Sequence, residues 1–411
     1  MHYNLKKSIN MYEDAKKYVF EATKFSNAIL ERGNGCYVWD IDGNKYLDLN
    51  SGQFCLSFGH NDEGLQDVIS KQLKKIYHTN TATLTPQVLK ACKDMAEITG
   101  GSLNKTIFLS TGSEANECAI RYARFITQKT GVLSFSQGYH GLTLGSQQST
   151  MGGAWARPQS TTNYSIDCFS TTKELEQFFE KVIKESNDNI AAVIVEPILA
   201  VGGILIPKKQ FFIKLRELCD KYAILLIFDE CQTGFGRTGK WFCYQHFGIE
   251  PDILTCAKAM GLGLAVSSVT FKTEIAQKIE GKIVHFSSHQ NDPLSCAITS
   301  YVINRIKNDN LLKNIKTMGS YLYSQLLNLS KEVEFISGVR GTGMLYGFDI
   351  PQEISKDFLS ELQKNGVLLQ AIRQGRTCRL SPCYNIRKED IDFLTNQIRE
   401  TSKIISCNKK Y

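Results

Sequence analysis

The sequence lacks the long apolar segments of membrane and secreted proteins. Its 411 residues contain no run near the ~18 apolar residues that a membrane span needs, and residues 1–18 lack the apolar core of a signal peptide. The sequence also lacks a large excess of charge of one sign. Its 48 Lys and Arg exceed its 41 Asp and Glu only slightly and form no basic block, which argues against a nucleic-acid partner. With 42% hydrophobic residues the composition is typical of a globular protein, and we expect a cytoplasmic one.

The cysteines show no pairing pattern. None of the thirteen belongs to a C-x-x-C pair, and several, including Cys219, Cys256 and Cys296, lie in apolar runs. In a cytoplasmic protein this pattern is typical of reduced thiols in the core. We therefore predict neither disulfides nor a metal site.

Short apolar runs alternate with amphipathic helical stretches through the middle of the chain. Six runs lie at 106–110, 131–135, 191–197, 224–230, 252–256 and 265–271. Helical patterns such as 113–128 and 208–222 separate them. Near-continuous apolar strands that alternate with helices predict an α/β fold, in which helices cover both faces of a mostly parallel sheet.

The two ends of the chain have a mixed pattern. Residues 36–49 alternate apolar and polar around Asp42-Gly43 and predict a β-hairpin, whereas residues 294–332 have one long helical pattern. We predict that both ends form a smaller α+β domain. The predicted boundaries are 1–55 and 301–411 for the small domain and 56–300 for the large one.

Two polar residues follow apolar strands at positions where α/β proteins bind ligands. Asp229 ends the run ILLIFDE, and Lys258 follows DILTC and precedes two glycines. Ligands of open α/β sheets bind at the carboxyl ends of strands, so both residues are candidates for one site. A strand-end aspartate can equally be a helix cap, and a strand-end lysine is usually solvated. In a desolvated cleft, however, a lysine becomes a nucleophile toward carbonyl groups.

The segment after residue 110 offers a place for an anion. Thr111, Gly112 and Ser113 precede a strong helix, whose first N–H groups and dipole favour a phosphate. The same residues also fit an ordinary capping box. A second glycine-rich stretch, at 234–241, resembles a nucleotide P-loop but has Trp241 where Ser or Thr is required. An anion site, an acid and an amine together are what pyridoxal phosphate needs.

Five ordered motifs resemble the class III (ω-type) aminotransferases, a family of fold-type I pyridoxal phosphate enzymes. The motifs are TGSEANE, GYHG at 138–141, EPILAVGG at 196–203, IFDECQTGFGRTG and the segment around Lys258. The resemblance runs from YVWDIDGNKYLD to RLSP at 379–382. It implies pyridoxal 5'-phosphate as the cofactor and a large domain whose mostly parallel, seven-stranded sheet lies between helices.

The resemblance also implies roles for individual residues. Lys258 would hold the cofactor as a Schiff base and shuttle a proton, and Asp229 would pair with the ring nitrogen. Glu230 would face away in a structural role. The other cofactor-binding residues that the motifs imply are Thr111, Gly112 and Ser113 at the phosphate, Tyr139 on the ring face, its neighbour His140, and Gln232 at the ring hydroxyl.

One implied residue acts between subunits. Ser288, in SSHQNDPL, matches a family position whose hydroxyl reaches the phosphate in the partner subunit's site. The resemblance therefore implies a homodimer with shared active sites. Whether dimers pair further into tetramers is left open.

The substrate side resembles 2,2-dialkylglycine decarboxylase in three features: Ser51-Gly52-Gln53, EPILAVGG and HQNDPL. By this resemblance Gln53 would turn the substrate carboxylate perpendicular to the ring, which favours loss of CO₂ over loss of a proton. Arg379 would receive a substrate carboxylate, and Tyr139 would also contact the substrate. Val201 stands where many relatives have a gating glutamate, which disfavours ornithine-type dual specificity.

Two departures leave the substrate open. Tyr139 replaces a tryptophan of the decarboxylase, and GHNDE at 59–63 replaces the family's usual GH-x-HP. The sequence favours an aminotransferase of α-amino or α,α-dialkyl amino acids with a 2-oxo acid such as pyruvate as acceptor. Decarboxylation-dependent and simple transamination are weighed evenly. An amino-acid racemase on the same scaffold and a non-catalytic binding protein are the alternatives.

Overall fold

Strands and helices alternate in the middle of the chain and mix at its two ends. The computed structural model describes residues 6–26, 28–150 and 163–409. In chain order, the strands of these residues are β1 (Leu30–Asn34), β2 (Tyr37–Asp40), β3 (Lys45–Asp48), β4 (Leu103–Leu109), β5 (Gly131–Phe135), β6 (Asn163–Ile166), β7 (Ile190–Val195), β8 (Leu225–Asp229), β9 (Ile253–Cys256), β10 (Ser267–Lys272), β11 (Ser337–Thr342), β12 (Leu345–Asp349), β13 (Val367–Leu368), β14 (Gln370–Ile372) and β15 (Thr377–Leu380).

The helices of the same residues separate most of these strands. In chain order they are α1 (Lys6–Tyr18), α2 (Ser51–Phe54), α3 (Glu63–Leu73), α4 (Pro86–Thr99), α5 (Gly112–Thr127), α6 (Leu144–Gln148), α7 (Thr172–Glu185), α8 (Lys209–Lys221), α9 (Thr273–Gln277), α10 (Pro293–Asn308), α11 (Leu311–Glu332), α12 (Gln352–Lys364) and α13 (Lys388–Lys409). Cys243–His246 and Lys258–Gly261 each form a single turn of 3-10 helix.

Seven strands form the central sheet, in the order β4-β10-β9-β8-β7-β5-β6. β10 is antiparallel to both of its neighbours, whereas the other neighbouring strands are parallel. The prediction of a mostly parallel, seven-stranded sheet between helices is therefore confirmed. The six apolar runs correspond to every strand except β6, whose sequence NYSI is short, partly polar and at the edge of the sheet.

Neighbouring side chains of the inner strands belong to two different hydrophobic clusters. In β7, Ala192 and Ile194 pack with the cluster that contains α5, whereas Val193 and Val195 pack with the cluster that contains α8. All six residues of β7 are buried. A strand that is buried on both faces needs an apolar residue at every position, which explains the near-continuous apolar runs.

The two chain ends fold against each other. β3 pairs with β13 in parallel, so residues near position 47 lie beside residues near position 367 in the sheet β1-β2-β3-β13. The predicted hairpin is present as β2 and β3, and the Asp40 side chain accepts hydrogen bonds from the backbone N–H groups of Asp42 and Asn44 in its turn. A second sheet, β11-β12-β15-β14, comes entirely from the C-terminal part. The boundaries at residues 55 and 300 stay a prediction.

Two expectations differ from the structure. The helical pattern at 294–332 is two helices, α10 and α11, because Asn310 between them has a left-handed φ of 50° that interrupts the helix. The prediction that the cysteines are unpaired is wrong for Cys36 and Cys383, which form a disulfide with a Cα–Cα distance of 6.1 Å. This disulfide joins the N-terminal hairpin to the segment that follows β15.

Among the described residues, no helix is both long enough and apolar enough to cross a bilayer.

Candidate active site

The predicted cofactor residues meet at one edge of the central sheet. β4, β5, β7, β8 and β9 all end there, and a cavity of about 360 Å³ lies beyond their carboxyl ends. Of the nine predicted cofactor-binding residues, eight line this cavity: Thr111, Gly112, Ser113, Tyr139, His140, Asp229, Gln232 and Lys258. The ninth, Ser288, lies elsewhere and is exposed.

Asp229 ends β8 and is surrounded by hydrogen-bond donors. Its Oδ2 lies 2.9 Å from Nδ1 of His140 and accepts a 2.7 Å bond from Nδ2 of Asn116, while Oδ1 accepts from the backbone N–H of Cys231 at 3.0 Å. Asn116 is held in turn by the hydroxyl of Thr255, which donates to its Oδ1 at 2.6 Å. Burial raises the pKa of Asp229, but the interactions with His140 and Cys231 outweigh it and leave the pKa below its usual value. The carboxylate is therefore ionised at neutral pH.

Lys258 approaches the same cavity from the neighbouring strand. It follows β9, whose Thr255 is the register partner of Asp229 in β8, so the amine and the acid come from adjacent strands. Its backbone φ is 51°, a left-handed value that costs a residue with a side chain about 1–2 kcal/mol. Strained residues of this kind cluster at functional sites, because the surrounding structure must hold them in place.

The first turn of α5 forms another wall of the cavity. Thr111 is the N-cap, and its side chain accepts a hydrogen bond from the N–H of Glu114 at 3.2 Å. Only half of the expected capping box is thus present, because the Glu114 side chain accepts from the N–H of Ser110 at 3.0 Å and not from that of Thr111. The cap does not use the N–H groups of Gly112 and Ser113, which belong to the four that a helix cannot satisfy internally. A side chain at Gly112 would put its Cβ 3.0 Å from Sγ of Cys231, so only glycine keeps this wall open.

A buried acid that the sequence analysis did not single out supports the other side of the cavity. Glu196 directly follows β7, and its Oε1 accepts from the backbone N–H of Tyr139 at 2.9 Å. Its Oε2 accepts from Nε2 of Gln232 and from the N–H of Ala200, both at 3.2 Å. Burial raises the pKa of Glu196 to about 7. Its place after an apolar strand, the same signal that identifies Asp229, could have revealed it.

Glu230 points away from the cavity, as the sequence analysis expects. Its two carboxylate oxygens accept from the backbone N–H groups of Tyr244 and Cys243, each at 2.7 Å, and from the hydroxyl of Thr233 at 3.0 Å. It is as buried as Glu196, and burial raises its pKa to about 7 as well. Two adjacent acids at the end of β8 thus face different environments.

Of the three predicted substrate residues, Tyr139 lines the cavity, whereas Gln53 and Arg379 do not. Gln53 is exposed on α2, a turn whose four residues all have left-handed φ values between 45° and 70°. Arg379 is buried, with its guanidinium 4.5 Å from the centre of the Phe54 ring and its Nη2 donating to Oε1 of Gln370 at 2.6 Å. Burial lowers the pKa of Arg379 to about 10, while the charge of Glu196 opposes this shift.

Ser288 belongs to a segment that is fixed by Asp292. The two oxygens of that carboxylate lie 2.6 Å from Nδ1 of His78 and of His289. These three residues are also the one group of described side chains whose potential metal-ligand atoms all lie within 4.8 Å of one another. Each imidazole already bonds the carboxylate, so the group is accounted for by hydrogen bonding.

The donor set of the cavity fits pyridoxal phosphate. It contains one amine, one ionised carboxylate that is almost fully buried, and one helix start with unused N–H groups. These are the groups that an aldehyde, a ring cation and a phosphate require. Lys258, Asp229 and the first turn of α5 would hold the three parts of the cofactor.

Comparison with known proteins gives three results. The family model described as "Aminotransferase class-III" matches residues 20–401. "Acetylornithine aminotransferase" of Archaeoglobus fulgidus is 35% identical over 381 residues, covering 92% of this chain and 97% of that protein. An uncharacterized aminotransferase of Schizosaccharomyces pombe is also 35% identical, over 397 residues, covering 89% and 88%. A solved transaminase from the marine bacterium Virgibacillus has a TM-score of 0.92 at 25% identity and covers 97% of this chain and 99% of that one.

These similarities confirm the predicted family and cofactor, but they do not confirm the finer resemblance to one enzyme of the family. The relatives named above are aminotransferases and include no decarboxylase, so the finer resemblance to 2,2-dialkylglycine decarboxylase stays a prediction. The family match covers nearly the whole chain and includes every residue that lines the cavity. The chain belongs to the class III aminotransferases, enzymes that use pyridoxal 5'-phosphate.

Proposed function

We propose that the protein transfers the amino group of an amino acid, either α-amino or α,α-dialkyl, to a 2-oxo acid such as pyruvate. The environment of Arg379 carries this proposal. Its guanidinium is buried and bonds the neutral amide of Gln370, and its buried Nε has no hydrogen-bond partner among the described residues. The position of the family's gating glutamate is Val201. A buried guanidinium that lacks a carboxylate partner favours an anionic ligand, and a substrate carboxylate supplies one.

The acid and the amine of the cavity have separate tasks in this proposal. When bound, pyridoxal phosphate supplies an aldehyde that captures amines and a ring that accepts electrons. Asp229, which its low pKa keeps ionised, would favour a proton on the ring nitrogen of the bound cofactor. Lys258 would anchor the cofactor and would carry the proton at the α-carbon of the substrate.

The remaining cavity residues orient the cofactor. The N–H groups of Gly112 and Ser113, together with Thr111, would hold the phosphate at the start of the helix. Tyr139 would pack against the ring, and Gln232 would bond the ring hydroxyl. His140 acts through Asp229, to which it is hydrogen-bonded at 2.9 Å.

Gln53 would decide which bond breaks. Its turn contacts the segment of Arg379 directly: Phe54 lies under the guanidinium, and the hydroxyl of Ser51 donates to the carbonyl of Ser381 at 2.7 Å. A carboxylate held between Gln53 and Arg379 has a fixed orientation. If that orientation sets its bond perpendicular to the ring, CO₂ is lost; if it does not, the α-proton is lost. Decarboxylation-dependent transamination is the sharper form of the proposal.

The named relatives favour a second candidate. Acetylornithine, the substrate in the name of the Archaeoglobus relative, carries its reacting amine far from its α-carboxylate. Arg379 could hold that carboxylate too, with the side-chain amine reaching Lys258. The observation against this candidate is that Val201 stands where the gating glutamate would be. Without that glutamate, the amino donor and the amino acceptor would need different arrangements around the same arginine.

We also propose that the active enzyme is a homodimer in which Ser288 of one subunit reaches the other subunit's phosphate. Its exposure, its absence from the cavity of its own chain and its fixed segment support this. Mixing Ser288→Ala with Lys258→Ala protein tests it. Hybrid dimers should contain one site with neither substitution and one with both, so activity should exceed that of both parents. No gain on mixing would contradict a shared site.

A substrate panel tests the main proposal. Holoenzyme is incubated with 2-aminoisobutyrate, L-alanine or N-acetylornithine and with pyruvate or 2-oxoglutarate, and new amino acid and released CO₂ are measured. CO₂ and acetone from 2-aminoisobutyrate support the decarboxylating form, and amino transfer from ordinary amino acids without CO₂ supports the simple form. Preference for N-acetylornithine would establish the second candidate, and loss of optical activity without any acceptor would establish racemisation.

A further inference from the structure

Glu196 is a fully enclosed acid that the proposed function does not use. It does not line the cavity, yet two of its three hydrogen-bond donors, the Tyr139 backbone and the Gln232 side chain, belong to residues that do. The third donor is the N–H of Ala200. The described salt bridges do not include it, and the imidazole of His140 and the guanidinium of Arg379 act on it without a hydrogen bond. An acid buried in this way needs an explanation, because burying an unpaired carboxylate is costly.

We propose that Glu196 is a positioning residue that fixes the amide of Gln232 and the backbone of Tyr139 toward the cofactor ring. The proposal rests on the roles given above to Gln232 and Tyr139. It does not depend on which amino acid is the substrate.

The chemistry of the pair sets the orientation of the Gln232 amide. The backbone N–H groups of Tyr139 and Ala200 favour the ionised form of Glu196. In that form a carboxylate only accepts hydrogen bonds, so it must face the NH₂ group of Gln232 and not its carbonyl oxygen. A flipped amide would bring two oxygens together. With one N–H committed to Glu196, the second N–H of the same amide is left for an oxygen in the cavity, which suits the ring hydroxyl in its ionised form. Glu196 thus selects one of the two orientations of the Gln232 amide, which have nearly the same shape.

Glu230 provides a matched control. Like Glu196 it is buried, follows a strand of the same sheet, bonds two backbone N–H groups, and has its pKa raised to about 7 by burial. It differs in having no bond to a residue of the cavity lining. Any effect of Glu196 that Glu230 does not share therefore comes from the bonds to Tyr139 and Gln232.

The experiment measures the Kd for pyridoxal phosphate from reconstitution of each protein, followed by visible absorbance, together with the thermal midpoint. We expect Glu196→Gln to raise this Kd about tenfold, equivalent to about 1.4 kcal/mol, because the new amide cannot accept from all three donors. Glu230→Gln should lower the thermal midpoint. It should leave the Kd for pyridoxal phosphate within about twofold of the wild-type value, because the Glu230 side chain bonds no residue of the cavity lining. The pH at which the visible absorbance band of the holoenzyme changes should shift in Glu196→Gln but not in Glu230→Gln.

A double-mutant cycle with Gln232→Ala tests the route of the effect. If Glu196 acts through Gln232, the Kd of the double variant should be close to that of Gln232→Ala alone. Strict additivity would overturn the role assigned to Glu196 in orienting the Gln232 amide. So would an equal rise in Kd in both Glu variants. Should Glu196→Gln fail to fold, Glu196→Asp keeps the charge but shortens the reach. It should raise Kd in the same direction, and an unchanged Kd there would also refute the positioning role.

Discussion

The cofactor side and the substrate side of the site are built in different ways. The cofactor side comes from the carboxyl ends of strands that run in the same direction in one sheet, so the residues that follow these strands lie at one edge. The substrate side joins α2, from the first part of the chain, to β15, more than 300 residues later. The common direction of the strands predicts the first arrangement. The second depends on packing of Phe54 under Arg379, which no local pattern reveals.

The largest expected effect comes from breaking the cofactor side at Lys258. Lys258→Ala should lower turnover by roughly four orders of magnitude or more, because both the anchor and the proton carrier are removed. Borohydride should then no longer fix the cofactor to the protein. Lys278→Ala, at an exposed lysine, is the control and should keep its yellow colour and its activity. Retained turnover in Lys258→Ala would remove Lys258 from the site.

Asp229→Asn should have the next largest effect, a loss of about 10² to 10⁴ in turnover with the fold retained. Neutral asparagine cannot hold a proton on the ring nitrogen, although its single side-chain oxygen can still accept from either Asn116 or Cys231. Turnover and circular dichroism are measured together. A near-normal rate in a correctly folded variant would show that Asp229 is only a structural anchor for His140.

Arg379→Gln should impair the substrate side of the site and leave the cofactor side intact. We expect the KM for amino acids to rise about a hundredfold, since a buried charge pair with the substrate carboxylate is lost, while the visible band of the holoenzyme stays unchanged. An amine without a carboxylate serves as the control substrate, and its KM should not rise. If amine and amino acid are affected equally, Arg379 supports the fold and does not read the carboxylate.

Gln53→Ala sharpens the comparison within the substrate side. The ratio of CO₂ loss to proton loss should change by several-fold, as about 1 kcal/mol of orientation is lost, whereas the Kd for the cofactor should not. Both products are quantified from the same reaction mixture. An unchanged ratio would mean that Gln53 does not select the bond.

The smallest effect concerns stability. Because burial raises the pKa of Glu230 from 4.5 to about 7, the folded protein binds a proton that the unfolded chain has released between these values. The contribution of Glu230 to the free energy of unfolding therefore falls as pH rises through this interval. In Glu230→Gln, unfolding by denaturant at pH 5 and pH 7.5 should show a smaller pH dependence than wild type. An equal dependence would contradict burial of an ionisable group there.

Sequence patterns predicted the residues at the strand ends of the central sheet better than the residues that hold them in place. Asp229 and Lys258 could be identified because each follows an apolar strand, and the strand order brings their neighbours to the same edge. Asn116 could not be identified in this way, since its burial on the inner face of α5 is clear only once the helix is packed. A polar residue among the buried Ala115, Cys118 and Ala119 is nevertheless a signal that could have been used.

Other differences arise from contacts between distant residues. The disulfide of Cys36 and Cys383 depends on the parallel pairing of β3 with β13, which places the two chain ends side by side. The break between α10 and α11 depends on one left-handed residue, Asn310, within a continuous helical pattern. Neither a cysteine count nor a periodicity contains this information.

The pairing of the two chain ends has a consequence for biosynthesis. The last strand of the central sheet ends at Lys272, whereas Arg379 leaves the ribosome about a hundred residues later, or roughly 5–20 s at ordinary elongation rates. During that interval the nascent chain already contains every residue that lines the cavity, but it lacks the cation that we assign to the substrate. On the ribosome, the vitamin-binding residues of this chain are therefore synthesised before the arginine that we assign to the substrate.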